Sequence, residues 1–442
     1  MDDWLWMTAA DLGRGIADGR VNPVALTDTY LAAIDDHAEA GRIYARTTPD
    51  RARAEAKAAA ERAASGRRLS LLDGVPISWK DLFDSAGTAT ESGSKLLEGR
   101  IPERDATVLR NATSAGLVCL GKTHLSELAF SGLGLNPMTA TPPCVNDAGA
   151  VPGGSSSGAA ASVAFGLAAA GIGSDTGGSV RIPAAWNDLV GLKTTHGRLS
   201  LTGAVPLCDR FDTVGPLCRS VEDAALLMAV MEGKTAPDLR GATLDGARLM
   251  ALTTGAMDDI RDMPLDGFNN AVKSLQAAGA TVDTVDLPFV DDMLALSPLL
   301  YAPEAYGIWK DVIEAAPEKM YPPILERFRG GAEVSAADYV AAWRKLDGFR
   351  QQWAEATAGF DAVVIPTAPN LPPDAARLMS DDAYYVTENL LTLRNTRIGN
   401  LLGNCSLTLP TGVPSTGILL MAPPMAEERL LRLSFAAEAT LS

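Results

Sequence analysis

The chain has 442 residues, 47% of them hydrophobic and 21% charged, a balance that supports a large buried core and excludes a disordered chain. Lys and Arg number 38 against 54 Asp and Glu, giving a net charge of -16. Such an acidic surface argues against nucleic acid or an anionic membrane as the main partner.

The first third is predicted to be helical. Thr8 and Asp11 fit a helix start, and Gly19 fits its end. Asn22-Pro23 places a cap before a proline at the first helical position, and Leu26, Tyr30 and Ile34 recur at helical spacing. Residues 49–64 read as a helix with a solvated charged face, stopped at Gly66. Then the pattern alternates. Residues 74–79 and 117–120 read as buried strands around a helix at 106–115. An Ala-rich helix is expected over 158–170, and an amphipathic one over 220–231. A strand at 249–252 precedes a helix at 265–278, and strands follow at 361–365, 406–409 and 417–421. The expected fold is α/β: a single large domain with a mixed, mostly parallel sheet covered by helices on both faces. Within it, 1–66 would be packed N-terminal helices and 67–235 the catalytic core. The remainder, 236–442, would hold a variable pocket region and the last strands.

Five scattered Cys (119, 144, 208, 218 and 405) fit reduced thiols in a cytoplasm and make a disulfide framework or zinc site unlikely. With three His (37, 124 and 196), no metal site is expected. The acidic start, Met1 to Trp4, lacks the basic-then-apolar order of a signal peptide. The uncharged stretch between Asp147 and Asp175 is too rich in Gly, Ser, Pro and Ala for a membrane span.

Three motifs compete for the chemistry. Gly116 to Thr123 matches GxxxxGK[ST], but four apolar residues fill the space where a phosphate loop needs exposed amides. Gly154 to Gly158 matches the elbow GxSxG, which would make Ser156 the nucleophile. No strand leads into it, and the only later His is His196, 40 positions on. The third constellation is longer: Lys80 in Ile77 to Asp81, then the Gly/Ser run 153–158, then Gly173-Ser-Asp-Thr-Gly-Gly-Ser-Val-Arg-Ile-Pro183. Glycines there permit close backbone approach to a ligand, and Thr176 to Ser179 offers consecutive amides around one hydroxyl, as an oxyanion hole requires.

These segments, in this order, resemble the amidase signature family of serine hydrolases. Residues 191–198 and 211–216 are similar to two further family segments, and the resemblance reaches nearly the whole chain. Ser157, Ala159, Thr194 and His124 depart from the usual residues. The resemblance implies Ser179 as nucleophile, Ser155 as bridging hydroxyl and Lys80 as base, with a cis peptide between Gly154 and Ser155. The separation of the two serines, 179 − 155 = 24, agrees with the family. The oxyanion would be bound by the amides of Thr176, Gly177, Gly178 and Ser179. Asp175 and Arg181 would hold the loop, His196 would pack or hydrogen-bond, and no metal or cofactor is implied. The implied reaction is hydrolysis of a small-molecule carboxylic amide through an acyl-enzyme, releasing ammonia or an amine, without a nucleic-acid or membrane partner. A homodimer is compatible with it.

Two alternatives stand beside that reading. One is the glutamine-hydrolysing A-type subunit of a tRNA-dependent amidotransferase. Residues 390–402 carry Arg394, Asn395 and Arg397 and lack the acid expected of that subfamily. The other is a catalytically inactive binding protein of the same shape, disfavoured by the joint presence of Lys80, Ser155 and Ser179. Ala129, Phe130 and the stretch 289–339 are expected at the acyl pocket, with Tyr301, Trp309 and Tyr321 as walls or core aromatics.

Overall fold

Capping chemistry sets the first helices. Thr8 accepts the amide of Asp11 ahead of helix Ala9–Ala17, and Asn22 Oδ1 accepts the amides of Val24 and Ala25 ahead of Pro23–Asp36. These side chains satisfy donors that a first helical turn leaves without carbonyls. Leu26, Tyr30 and Ile34 all point inward. Helix Pro49–Ala64 has the expected limits.

The computed structural model describes residues 2–441. These helices lie against one eleven-stranded sheet. Its strands are β1 (Tyr44–Thr47), β2 (Pro76–Lys80), β3 (Val118–Thr123), β4 (Ala170–Asp175), β5 (Val190–Lys193), β6 (Thr213–Cys218), β7 (Arg248–Leu252), β8 (Thr281–Val285), β9 (Ala362–Pro366), β10 (Cys405–Pro410) and β11 (Gly417–Ala422). Their spatial order is β1-β3-β2-β4-β6-β5-β10-β11-β9-β7-β8. Strands β2, β3, β4, β5, β6, β9 and β11 are buried along their whole length, as strands covered on both faces must be. The two edge strands, β1 and β8, are mainly half-buried or exposed.

The sheet is mixed, as expected, but it is not mostly parallel. Four neighbouring pairs are parallel (β2/β3, β2/β4, β7/β8 and β7/β9) and six are antiparallel. The short turn over 411–416 makes β10 and β11 antiparallel, because parallel neighbours need a long crossover. Apolar runs report burial and carry no information on strand direction.

The Ala-rich helix is shorter than expected. It covers Ser157–Ala164 and ends before Gly166, whose φ of 72° suits a helix terminus. Residues 170–175, partly read as helix, form the central strand β4 instead. Helix and strand pack at backbone distance: a methyl built on Gly171 would stand 2.7 Å from the Ala159 carbonyl oxygen. The formal phosphate-loop match, 116–123, is largely strand β3, so its backbone is spent on sheet pairing.

Candidate active site

Two parallel neighbours build the base of the site. Strands β2 and β4 pair through Ile77 with Ala170, Ser78 with Gly171 and Trp79 with Ile172. Their carboxyl ends therefore deliver Lys80 and the segment 174–179 to one edge of the sheet, where parallel strands commonly present ligand-binding groups. The segment 153–158 turns into helix Ser157–Ala164 above them. Ser156 Oγ donates to the Ser174 carbonyl (3.2 Å) and the Ser156 amide donates to the Ser179 carbonyl (3.2 Å). The two Gly/Ser runs are thus tied together through Ser156, which holds the loop and leaves Ser179 free.

Lys80 is fully buried, and its Nζ donates to Ser155 Oγ (2.7 Å) and Ser174 Oγ (2.8 Å). The other two fully buried lysines provide a contrast. Lys122 Nζ reaches the Asp81 carboxylate (3.2 Å) and Thr90 Oγ1, and Lys193 Nζ reaches the carbonyls of Thr194 and Asn404. Lys80 alone among them has only hydroxyls, which accept from an ammonium or donate to a neutral amine. Burial pushes its pKa down to about 7, with Asp175 and Asp212 opposing the shift.

The peptide bond between Gly154 and Ser155 is cis. The Gly154 amide donates to the Gly132 carbonyl (2.7 Å), and the Ser155 carbonyl accepts the Ser126 amide (3.1 Å). Ser155 is fully buried and Ser179 is 3% exposed.

The loop carrying Ser179 is held by an internal ion pair. Arg181 donates to both oxygens of Asp175, Nε to Oδ2 (2.9 Å) and Nη2 to Oδ1 (2.8 Å), and both residues are fully buried. Burial alone would raise the Asp175 pKa; Arg181 overcomes it and holds the carboxyl well below the usual range. Asp175 also accepts the amides of Gly178 (2.9 Å) and Val180 (3.1 Å). The Gly178 amide is therefore committed to Asp175. Of the four amides expected to bind an oxyanion, this leaves those of Thr176, Gly177 and Ser179. Gly178 has φ 137°, and a methyl there would stand 2.2 Å from Thr396 Oγ1. Glycine is required on both counts.

Sequence reasoning missed several supports of this loop. Thr396 Oγ1 donates to the Gly177 carbonyl (2.7 Å), and Asn400 Nδ2 donates to Asp175 Oδ1 (2.9 Å). Thr176 Oγ1 donates to Asp212 Oδ1 (2.5 Å). Burial raises the Asp212 pKa to about 6, against the hydrogen bonds from Thr176, Leu207 and Cys208. Ser174, next to Asp175 in the motif, was the one support within reach of a sequence reading. His196 is exposed and hydrogen-bonds through Nδ1 to the Asp212 carbonyl (2.9 Å), in keeping with a structural role. Among the aromatics, Trp309 donates to the Pro206 carbonyl in the core, and Tyr321 packs edge-on to Tyr385. Tyr301 is buried against Phe211, with the Arg397 guanidinium 5.8 Å from its ring centre. Among the described residues, no group of His, Cys, Asp and Glu is arranged to hold a metal ion.

Comparison with known proteins identifies the family. The amidase family model matches residues 25–431. A 2-amino-5-chloromuconic acid deaminase of Comamonas testosteroni is 35% identical over 435 residues, covering 95% of this chain and 92% of the relative. The A-type subunit of the glutamyl-tRNA(Gln) amidotransferase of Anaeromyxobacter sp. (strain K) is 33% identical, covering 98% of this chain and 95% of the relative. The solved peptide amidase of Stenotrophomonas maltophilia superposes with a TM-score of 0.84 at 27% identity, covering 98% and 97%. The chain belongs to the amidase family. It is an amidase, a hydrolase of carboxylic amide C–N bonds. Among the described residues, no helix is long and apolar enough to cross a membrane.

Proposed function

We propose that the chain hydrolyses a small amide by itself, with Ser179 as nucleophile, Ser155 as proton bridge and Lys80 as base. The observation that carries this reading is the buried Lys80–Ser155 contact of 2.7 Å, with serine hydroxyls and no carboxylate in hydrogen-bond contact with the amine.

A neutral Lys80 accepts the Ser155 proton while Ser155 takes the proton of Ser179. Ser179 Oγ forms a bond to the carbonyl carbon, and the carbonyl π pair moves to oxygen. The amides of Thr176, Gly177 and Ser179 receive that oxyanion. Collapse breaks the C–N bond, and the proton held on Lys80 returns through Ser155 to the departing nitrogen. Water then adds to the acyl-enzyme by the same proton path, and a carboxylic acid leaves Ser179. Amide plus water gives acid plus ammonia or amine.

The identity to A-type amidotransferase subunits raises a partner-dependent glutaminase as the second reading. Three features favour the free-standing enzyme. The -16 charge opposes docking of tRNA, residues 390–402 lack an acid, and Arg397 stands there instead. Five buried, unpaired cysteines support a reducing cytoplasmic setting. The test is ammonia release by the purified chain from a panel of aliphatic, aryl and ureido amides and glutamine, without partner or ATP. Activity on simple amides supports the proposal. Activity confined to glutamine and dependent on a copurifying partner would replace it with the second reading.

A further inference from the structure

Eight acidic side chains are buried among the described residues. Asp73, Asp81, Asp175, Glu388 and Glu427 each have an arginine or lysine in ion-pair contact. Among the described residues, Glu127, Asp212 and Asp223 have no such partner. Asp223 accepts two amides at the start of helix Ala9–Ala17, and Glu127 accepts the Ser94 hydroxyl and the Tyr321 amide. Asp212 alone of the three is hydrogen-bonded to the segment that carries Ser179. Its Oδ1 accepts Thr176 Oγ1 (2.5 Å), and its Oδ2 accepts the amides of Leu207 (2.8 Å) and Cys208 (3.1 Å). All three donors are neutral, so the carboxylate is well held and its charge is not answered.

Its place in the sheet brings it to the amine. Strands β4 and β6 pair Ser174 with Val214 and Asp175 with Thr213. Asp212 therefore leads into β6 level with the end of β4, where Lys80 Nζ donates to Ser174 Oγ. Ser174, which holds Lys80, and Thr176, which Asp212 holds, are two positions apart. Two carboxylates favour the charged form of Lys80, those of Asp175 and Asp212. Asp175 is already matched by Arg181, which leaves Asp212 as the uncompensated one. Around Asp212, its own turn contributes Asp209 and the Cys208 thiol, which burial keeps protonated. His196 meets the Asp212 backbone carbonyl. Burial brings the Asp212 pKa up to about 6, so the group is ionised at neutral pH.

We propose that Asp212 is a positioning residue for the reaction: its carboxylate holds Thr176 in place and acts through space on Lys80, stabilising the ammonium that forms when the amine takes the serine proton. The proton passes from Ser155 Oγ to Lys80 Nζ and goes no further; Asp212 stays ionised throughout. A cation created out of water is costly without a counter-charge. A carboxylate already fixed by three hydrogen bonds supplies one without rearrangement. The inference rests on the reading of Lys80 as base.

The experiment is a set of pH–rate profiles on the best amide from the substrate panel. Asp212→Asn keeps the shape of the side chain and removes its charge. The acidic limb of kcat/KM should move to lower pH by about one unit, because the ammonium has lost its counter-charge. The plateau kcat should fall at least about 10-fold, since an amine of lower pKa is a weaker base, and KM should change less than kcat. Asp212→Glu keeps the charge and should leave the limb in place. Where Asp212→Asn loses its fold by circular dichroism, Asp212→Ser is the neutral variant read instead. A limb that stays put or moves upward in the folded neutral variant overturns the proposal. So does a higher kcat, which would mean that the carboxylate acts chiefly against the oxyanion. Lys80→Met keeps the two readings apart. A limb that survives in Lys80→Met removes the base assignment itself. A limb lost there but unmoved by Asp212→Asn leaves the base standing and removes only the role of Asp212.

Discussion

Lys80 Nζ lies between two serine hydroxyls, Ser155 Oγ at 2.7 Å and Ser174 Oγ at 2.8 Å, with no exposure to solvent. An ordinary lysine titrates near about 10.4 and is protonated at neutral pH. Burial disfavours that charged form and brings Lys80 to about 7. Only the neutral amine can take a proton. It follows that kcat/KM should rise as pH increases through one ionisation near neutrality, then level off. The observed midpoint belongs to the coupled serine–lysine network. Lys80→Met should remove that limb together with most of the activity. A Lys80→Met variant with the parent rate and profile would show that another group is the base.

Ser174 gives a second, independent handle on the same amine. Its hydroxyl accepts from the ammonium and so favours the charged form. In Ser174→Ala that support is lost, and the acidic limb of the kcat/KM profile should move to lower pH by about one unit, the scale of a hydrogen bond to a charged group. A pH–rate profile of the variant beside the parent decides it. A midpoint that stays in place, or moves upward, would mean that Ser174 does not bear on the base.

The Asp175–Arg181 pair should matter to stability as much as to activity. Both partners are fully buried, and Asp175 holds the Gly178 and Val180 amides on either side of Ser179. Arg181→Leu leaves a carboxylate buried without its cation, which should cost about 3–5 kcal/mol in urea unfolding. The shift of Asp175 is downward, so the stabilisation is complete at neutral pH. It is lost progressively as pH falls from the usual carboxylate range down through the lowered Asp175 value. A variant as stable as the parent at pH 7 would contradict this role.

How far the sequence announced these features depends on where each support lies along the chain. Lys80, Ser155 and Ser179 sit in ordered motifs, and the resemblance of those motifs to a known family nominated them. Asn22 with Pro23, and Thr8, marked helix starts because capping is local chemistry. Strand β4 escaped notice because Ala170 to Asp175 has two glycines, one β-branched residue and an Ala-rich run before it. Its strand character comes from pairing with β2 and β6. Thr396 and Asn400 are more than 200 positions from the loop they hold, and no local signal identifies the helix face they occupy. The same holds for Arg397, which the sequence marked only as the place where an acid is absent.

Gly178→Ala tests the loop's geometry. The new methyl would meet Thr396 Oγ1 at 2.2 Å and Ile182 Cδ1 at 2.5 Å, at a φ of 137° that side chains avoid. Amide hydrolysis should fall by at least about 100-fold, the loss seen when an oxyanion donor is displaced. Circular dichroism would confirm that the sheet persists. Near-parental turnover would show that the Gly177–Ser179 backbone need not hold this shape.

On the proposed mechanism Ser179 becomes covalently bonded to the substrate's acyl carbon. The most direct measurement is the site of reaction with a fluorophosphonate, read by intact mass and peptide mapping. One adduct per chain is expected, on the peptide containing Ser179, absent in Ser179→Ala and retained in Ser156→Ala. Its formation should accelerate with pH along the same limb as kcat/KM. An adduct on Ser156 or Ser155, or full labelling of Ser179→Ala, would contradict the assignment.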